Sequence, residues 1–400
     1  MIQSHQKRNT ILLWLAQMIS TAGDAIYQLA LIWLVLDITG SSTITGLIAM
    51  SAYLPAMLFG LYAGVLSDRY NRIALIIFSN VSQALTVIII PLLIFNQYTN
   101  IVLIGSLAFI RACFSTLFPP AFNAFIPTII EKKYLVRINS ILSSSAQLAY
   151  LIGPASAGVL LGIISLPYLF VIDASSFLVA VLLFTLVIKP PQPLKNPEQH
   201  SSMKELLAGL AYIAKNKSLG HLLALTSINN IFIMGLAIVG TPILVRNALN
   251  GTVVQYAFVE SGLAFGMLLG SVLIYKFGHL MNNGKILLFG MILDGLTYML
   301  FFFAQSIAFV MIFIVIHALG IPFITISRTT IIQRHVPNKY HGRLFSMVHL
   351  SVVGITAIAS AIIGILAAFI DIRVIFLCSG FGAALCGFWG FFKPNLRDLA

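Results

Sequence analysis

Long apolar runs separated by short polar segments make up most of the sequence. Apolar runs of about 20 residues are long enough to cross a bilayer as α-helices. Twelve such runs, numbered span 1 to span 12 in chain order, are 11–38, 43–66, 73–95, 99–122, 138–163, 166–188, 219–245, 253–277, 285–304, 307–331, 342–368 and 371–392. Strands of a membrane barrel would instead alternate over segments of about ten residues. The pattern predicts an all-α membrane protein with twelve transmembrane helices.

The amino-acid composition agrees with a membrane protein and excludes a soluble globular protein. Hydrophobic residues make up 59% of the chain and charged residues 8%, and the mean hydropathy is +1.00. Soluble domains are about 25% charged. The three cysteines, Cys113, Cys378 and Cys386, all lie in predicted spans and form no paired motif, so neither a disulfide nor a metal cluster is expected.

The positive charges predict the orientation, because Lys and Arg collect in cytoplasmic loops. With the N-terminus inside, twenty of the 23 Lys and Arg residues fall in cytoplasmic segments. Only Arg246 and Arg373 would lie outside, and Arg111 lies within span 4. Both termini are therefore predicted to be cytoplasmic. The net charge of +12 then reflects topology, and no nucleic-acid partner is expected.

The longest polar interruption divides the spans six and six. Its beginning, "KPPQPLKNP", is typical of a linker, and "SSMKELLAGLAYIAK" predicts an amphipathic helix on the cytoplasmic membrane surface. The predicted organisation is an N-terminal six-helix bundle over 1–188, a linker with this helix over 189–218, and a C-terminal six-helix bundle over 219–400.

One offset relates the two halves. The segment "KYLVRINS" (133–140) matches "KYHGRLFS" (339–346) at Lys, Tyr, Arg and Ser, a shift of 339 − 133 = 206 residues. The same shift places Gly60 on Gly266, Gly64 on Gly270 and Gly158 on Gly364. A parallel duplication of this kind is typical of two-bundle transporters, whose substrate site lies near the midplane between the halves.

Several stretches carry a family resemblance. The loop "GVLSDRYNR" (64–72) resembles the signature loop of the major facilitator superfamily. Similarity to its bacterial efflux branch, which includes macrolide efflux proteins and enterobactin-type siderophore exporters, occurs in "GDAIYQLALIWLVLDITGS" (23–41), "PPAFNAFIPTII" (119–130), "LVRINSILSSSAQLAYLIGPASAG" (135–158) and "HGRLFSMVHLSVVG" (341–354). The resemblance implies two pseudo-symmetric bundles in the bacterial cytoplasmic (inner) membrane. No oligomerisation signal is present, so a functional monomer is expected.

Two motifs are candidates for gating. Gly64, Asp68, Arg69 and Arg72 belong to the signature loop, in which Asp68 would meet the positive N-terminal end of span 11 and close the inner gate. The alternative is a charged loop that only fixes topology. Gly153-Pro154 invites a bend in span 5, either as a flexing point or as a static kink.

Asp24 and Arg111 are the candidates for the centre of the site. Asp24 is about 13 residues into span 1, or roughly 20 Å, which is near mid-bilayer. An isolated charge there costs about 3 kcal/mol or more, so Asp24 and Arg111 are expected to pair. A carboxylate binds a proton more readily when buried and less readily beside an arginine, so a pair that opens and closes can carry protons. The alternative is a fixed salt bridge between two helices.

The 206-residue shift extends this polar belt into the second half. It maps Asp24 to Asn230 and Arg111 to His317, with Asn229 beside the former. In the fold that the resemblance implies, spans 1, 4, 7 and 10 line the central cavity. His317 is therefore a candidate proton relay, or a hydrogen-bonded packing residue.

Other polar residues in the spans have two interpretations each. Glu260 is a candidate proton site or an acid that reaches the outer surface. Asp173 and Asp294 lie in spans that are usually peripheral, and a structural role in pairing or capping is expected for both. Tyr27, Gln28, Gln147 and Tyr150 are candidates for lining an amphipathic pocket, although such side chains more often pack between helices.

The sequence thus predicts a proton-coupled secondary exporter of an amphipathic small molecule, a drug or a siderophore, that works by alternating access. It contains no P-loop, HExxH or GxSxG motif, so no enzyme activity and no cofactor is expected. Alternatives are a siderophore importer, a lysophospholipid flippase and a ferroportin-like divalent metal exporter. The metal exporter is considered because "TAGD" (21–24) in span 1 resembles the same region of ferroportin-type proteins. A membrane-embedded receptor or scaffold is the alternative outside transport.

Overall fold

The computed structural model of the protein describes residues 2–130, 134–187 and 216–399. Within these ranges the secondary structure is helical throughout, with no strand. In the first half the helices are Ile2–Thr39 (span 1), Ser42–Arg69 (span 2), Arg72–Phe95 (span 3), Ile101–Ser115 and Phe118–Ile129 (span 4), Leu135–Leu160 (span 5) and Pro167–Thr185 (span 6).

The second half repeats this arrangement of six spans. Its helices are Lys217–Gly235 continued by Leu236–Gly240, Thr241–Ile243 and Leu244–Ala248 (span 7), Val253–Phe277 with the turn Gly278–Leu280 (span 8), Asn283–Met299 with Leu300–Phe303 (span 9), Ile307–Ala318 and Ile321–His335 (span 10), Asn338–Leu366 (span 11), Ile372–Phe391 (span 12) and the short Pro394–Arg397.

These helices confirm the predicted membrane fold. In the described part of the chain, 11 helices are long and apolar enough to cross a bilayer. The helix Leu135–Leu160 supplies the twelfth span, with its most apolar part at Leu148–Leu160. The predicted interfacial helix (201–215) lies outside the described ranges, and the predicted domain boundaries stay predictions.

The helices cluster into two compact units. Unit 1 comprises Met1–Ile38 and Ser51–Ser202, and unit 2 comprises Thr39–Met50 and Met203–Ala400. The first turns of span 2 thus belong to unit 2, where Gly46 packs against span 11 so closely that a Cβ on Gly46 would lie 2.8 Å from the Cα of Gly364.

Side-chain caps define where many of the helices begin. Asn71 and Asn100 accept hydrogen bonds from the free backbone N–H groups of spans 3 and 4. In unit 2, Asn216 caps span 7, and Thr252 with Gln255 forms a reciprocal capping box at span 8. Asp371 caps span 12.

Spans 4 and 10 extend beyond their predicted ends and are interrupted. Span 4 breaks at residues 116–117 and span 10 at residues 319–320. Each second helix has proline in its first turn, Pro119 and Pro120 in span 4 and Pro322 in span 10. Proline has no backbone N–H to continue the hydrogen bonds of the first helix, and the first turn is the part of a helix that needs no such donor.

Span 7 also departs from a regular α-helix. Residues Leu236–Gly240 and Leu244–Ala248 form π-helical turns around Pro242. The carbonyl of Leu236 accepts both the backbone N–H of Thr241 and, at 3.2 Å, its side-chain hydroxyl.

Each unit has its own apolar core. In unit 1, Leu13, Phe122, Phe125 and Phe184 join spans 1, 4 and 6. In unit 2 the core joins spans 7, 9, 10 and 11. Many large apolar side chains lie on the outside, such as Val102 and Phe369, and a bilayer is the solvent in which such a surface is stable.

Candidate functional site

The polar centre of unit 1 is an ion cluster of three side chains on three spans. The guanidinium of Arg111 (span 4) forms a charged hydrogen bond with Asp24 (span 1). The same Nη2 atom lies 3.6 Å from Oδ2 of Asp173 (span 6). The predicted pairing of Asp24 and Arg111 is therefore present, and Asp173, for which pairing or capping was expected without a named partner, lies beside it. We call these three residues the unit 1 triad.

Aromatic rings enclose the arginine of the triad. The Arg111 guanidinium lies over the ring of Tyr27 at 3.8 Å and 5.5 Å from the ring of Phe177. Phe170 meets Tyr27 edge to face, with ring centroids 5.8 Å apart. Stacking on aromatic faces stabilises a cation and fixes its plane, so Arg111 is held by both charge and ring contacts.

The two carboxylates of the triad differ in exposure. The side chain of Asp24 is 30% exposed, whereas that of Asp173 is fully buried. Asp24 is thus the acid that a small molecule or water can reach. Arg111 is buried, and its Nε finds no hydrogen-bond acceptor among the described residues.

Glycines allow the helices of the triad to approach closely. A Cβ on Gly23 would lie 2.7 Å from Oδ1 of Asp173, and a Cβ on Gly153 would lie 2.8 Å from the Cβ of Ala25. Any larger side chain at either position would push span 6 or span 5 away from span 1. The helix Leu135–Leu160 continues through Gly153 and Pro154, so packing is the role visible for this pair.

Unit 2 contains a second buried polar cluster, centred on His317 in span 10. Its Nδ1 lies 3.1 Å from the hydroxyl of Thr297 and its Nε2 lies 3.4 Å from Oδ1 of Asp294, both in span 9. The ring of Tyr298 stacks on the imidazole with centroids 3.8 Å apart. We call His317, Asp294, Thr297 and Tyr298 the unit 2 cluster.

The Thr297 hydroxyl has three possible acceptors for its single hydrogen. They are the carbonyls of Leu293 and Asp294 and Nδ1 of His317, so the direction of the Thr297–His317 hydrogen bond depends on the imidazole tautomer. When Thr297 donates to Nδ1, the Nε2–H of a neutral His317 faces Oδ1 of Asp294.

Comparison with known proteins agrees with this architecture. The family profile described as "Transmembrane secretion effector", a major facilitator family, matches residues 6–397. The chain belongs to this family. It is 25% identical over 343 residues to macrolide efflux protein A of Streptococcus pyogenes, covering 84% of this chain and 83% of that protein. It is 23% identical over 377 residues to the putative bacilysin exporter BacE of Bacillus amyloliquefaciens, covering 94% of this chain and 93% of that protein.

A solved structure shares the fold. A bacterial homologue of the iron transporter ferroportin, in an inward-facing state, has a TM-score of 0.78 at 14% identity, covering 98% of this chain and 99% of that one. The family membership identifies this protein as a major facilitator transporter of the efflux type, and the relatives support export of small molecules.

The other predicted residues of the polar belt lie in unit 2 of the transporter. Asn229 and Asn230 are buried in span 7, and neither Nδ2 atom has a hydrogen-bond partner within the described ranges. Glu260 is half-buried in span 8 and accepts a hydrogen bond from Tyr256. His317 contacts span 9, and no described hydrogen bond or ion pair joins it to the two asparagines.

The predicted pocket-lining residues do not share one environment. Tyr27 is buried under Arg111, and its hydroxyl has no hydrogen-bond partner among the side chains described. Gln28 accepts a hydrogen bond from Tyr53 at 3.4 Å. Tyr150 is 47% exposed and lies within electrostatic range of Asp24 and Arg111. The side chain of Gln147 is not among those described.

The residues predicted to form the inner gate have mixed surroundings. Arg72 donates to the carbonyl of Ala124 at 3.0 Å and so ties span 3 to the second helix of span 4. Arg69 is exposed, and the side chain of Asp68 is not among those that the structure describes. A Cβ on Gly64 would have no described atom within 4 Å, whereas the counterpart Gly270 packs directly on the backbone of Leu319. The gating role of this loop stays a prediction.

For Asp173, sequence reasoning expected a structural role in pairing or capping but did not identify Arg111 as its partner. Hydropathy places Asp173 in span 6 but does not give the rotation of that helix about its axis, which decides the neighbouring span that Asp173 faces. A signal was available, because a buried acid needs a cation and Arg111 is the one cation well inside a predicted span.

Proposed function

We propose that this transporter exports an amphipathic small molecule with a basic group, driven by protons that move inward. Alternating access of the two bundles would carry the substrate across the membrane. The observation that carries the proposal is the unit 1 triad: a partly exposed carboxylate, Asp24, that is paired with a buried arginine at about mid-span.

The geometry of the triad supports a basic substrate. Asp24 is the reachable acid of the cluster, and its charge is balanced only by Arg111 in the described part of unit 1. An amine of the substrate can take over the contact with Asp24, and the charge of the site then changes by one. A site whose charge changes on substrate binding is one to which a proton can be linked.

The relatives support the export of a small molecule. Macrolide efflux protein A and a putative bacilysin exporter both resemble this chain over more than four-fifths of its length. Divalent metal export fits less well, because such ions prefer several clustered carboxylate, His or Cys ligands, and no group of three or more of these side chains lies together within the described ranges.

The test uses proteoliposomes with an imposed proton gradient and a pH-sensitive dye inside. Erythromycin, cationic dyes, iron-free and iron-loaded siderophores and Fe²⁺ are added in turn to wild type, Asp24→Asn and the surface control Asp398→Asn. We expect one of the organic compounds to release protons with wild type and with the control, and not with Asp24→Asn.

Each other outcome has a defined meaning. Transport of a compound without proton flux, or equal transport by Asp24→Asn, contradicts coupling at Asp24. Proton release triggered by Fe²⁺ alone would support the ferroportin-like alternative.

A further inference from the structure

Asp173 stands out among the buried groups because its charge is not matched. It is fully buried in span 6, and its only charged contact with a cation in the described structure is Arg111 at 3.6 Å. Neither of its carboxylate oxygens has a hydrogen-bond partner among the described residues. Gly23 packs directly against it, which leaves no room for a larger neighbour from span 1.

The charges of the unit 1 triad do not balance when both acids are ionised. Arg111 contributes one positive charge, and Asp24 and Asp173 would contribute two negative charges. A net charge buried within a membrane span is costly, and two carboxylates that share one partner resolve this by binding one proton. The triad is therefore neutral when it holds one proton.

The geometry indicates which acid holds that proton. Asp24 accepts the charged hydrogen bond from Arg111 and is 30% exposed, and both features favour its ionised form. Asp173 has neither feature, since it is fully buried and lies beyond hydrogen-bond distance of the guanidinium. The proton therefore belongs on Asp173.

The helices around Asp173 offer few other charged or titratable groups. Span 1 contributes Asp24 and the phenol of Tyr27, span 4 contributes Arg111, and span 5 contributes Tyr150 at longer range. Span 3, which packs along span 6, contains no acidic or basic residue between Arg72 and its end at Phe95. Proton exchange at Asp173 thus depends mainly on Arg111 and Asp24.

We propose that Asp173 is the proton-binding group of unit 1 and that Arg111 moves between the two carboxylates. When a basic substrate engages Asp24, Arg111 is released to Asp173, whose O–H bond breaks and whose proton leaves to water. A shift of less than about 1 Å brings the guanidinium into hydrogen-bond distance of Asp173. When the substrate leaves, Arg111 returns to Asp24 and Asp173 binds a proton again. This mechanism rests on the proposed function and identifies the residue that couples it.

The first test is infrared spectroscopy of the purified protein, which detects the carbonyl stretch of a protonated carboxylic acid. We expect such a band in wild type and in Asp294→Asn, a variant at a buried acid of unit 2. Because Asp→Glu keeps the charge balance of the triad, we expect Asp173→Glu to shift the frequency of the band and Asp24→Glu to leave it in place. A band that shifts in Asp24→Glu and not in Asp173→Glu would overturn the assignment. Because this readout uses the resting protein, it does not depend on transport.

The second test measures the same wild-type band before and after addition of erythromycin, or of whichever compound releases protons in the liposome assay. We expect the Asp173 band to decrease on binding, and no variant has to fold for this measurement. A band that is unchanged while the compound releases protons contradicts the proposal.

The third test places Asp173→Asn in the proteoliposome assay, with size-exclusion chromatography to verify folding. We expect substrate-linked proton release to fall at least tenfold, and substrate binding to lose its dependence on pH. Normal proton release from a folded Asp173→Asn protein would overturn the proposal. If wild type releases no protons with any compound, the proposed function fails instead, while the resting-state assignment of Asp173 is judged separately by its infrared band.

Discussion

At the scale of one residue, the buried imidazole of His317 in unit 2 has a polar contact at each ring nitrogen. Both ring nitrogens face polar atoms of span 9, and Tyr298 covers one face of the ring. Removal of one member of such a cluster leaves the others buried without partners, which costs more than the contact itself contributed.

We predict that His317→Ala lowers the apparent melting temperature of the detergent-purified protein, with a cost of about 2–4 kcal/mol from the cavity and the unpaired groups. His349→Ala, an exposed histidine of the same unit, is the matched control and should have little effect. The double variant His317→Ala/Asp294→Asn should lose less than the sum of its single changes, since the two side chains interact. Additive losses would show that they do not.

Tyr27 allows the ring contact of Arg111 to be separated from hydrogen bonding. Its hydroxyl has no described partner, and the ring face lies 3.8 Å from the guanidinium carbon. We predict that Tyr27→Phe keeps near-normal export, whereas Tyr27→Leu lowers it several-fold, since a cation–π contact contributes about 0.5–2 kcal/mol. Initial export rates in proteoliposomes measure both. Equal effects of the two substitutions would mean that the ring does not position Arg111.

At the scale of helices, the internal duplication has diverged in how its glycines pack. Gly270 in span 8 lies against the backbone of Leu319 in span 10, and Gly266 lies against Val315. The counterparts in span 2, Gly60 and Gly64, have open space around them within the described ranges. The same small residue thus supports helix packing in unit 2 without that role in unit 1.

We predict that Gly270→Val destabilises the protein, because its branched side chain has to displace backbone atoms of span 10. Gly64→Val, its counterpart under the 206-residue shift, should leave the melting temperature nearly unchanged. Thermal unfolding in detergent compares the two. If Gly64→Val keeps its stability yet slows export, the gating prediction for the loop 64–72 gains support, whereas equal destabilisation by both would contradict the packing difference.

The positions of the helices were more predictable than their interior details. Each apolar run had to be long enough to cross a bilayer, and this requirement can be read directly from the sequence. The breaks in spans 4 and 10 had a visible signal in Pro119, Pro120 and Pro322, but hydropathy averages over single residues. The contacts of Asp173 with Arg111 and of His317 with span 9 depend on how each helix is rotated about its axis. This rotation is not predictable from the sequence, because an apolar helix with weak amphipathicity has no clear polar face.

At the scale of the whole molecule, the orientation in the membrane stays a prediction that can be tested directly. The charge bias of the loops predicts that residue 99, between spans 3 and 4, and residue 305, between spans 9 and 10, lie outside the cell. Residues 70 and 281 should lie in the cytoplasm. All four positions, Tyr70, Thr99, Met281 and Gln305, are exposed in the structure.

The measurement uses single cysteines at these four positions, in a full-length background in which Cys113, Cys378 and Cys386 are replaced by serine. A membrane-impermeant maleimide added to intact cells should label Thr99→Cys and Gln305→Cys, and should reach Tyr70→Cys and Met281→Cys only after the membrane is permeabilised. Because one position on each side belongs to each half, labelling also tests whether both bundles insert with the same orientation. Labelling of Met281→Cys in intact cells would mean that the second half inserts the other way, so that the parallel duplication, and the correspondence of Arg111 with His317, could not hold.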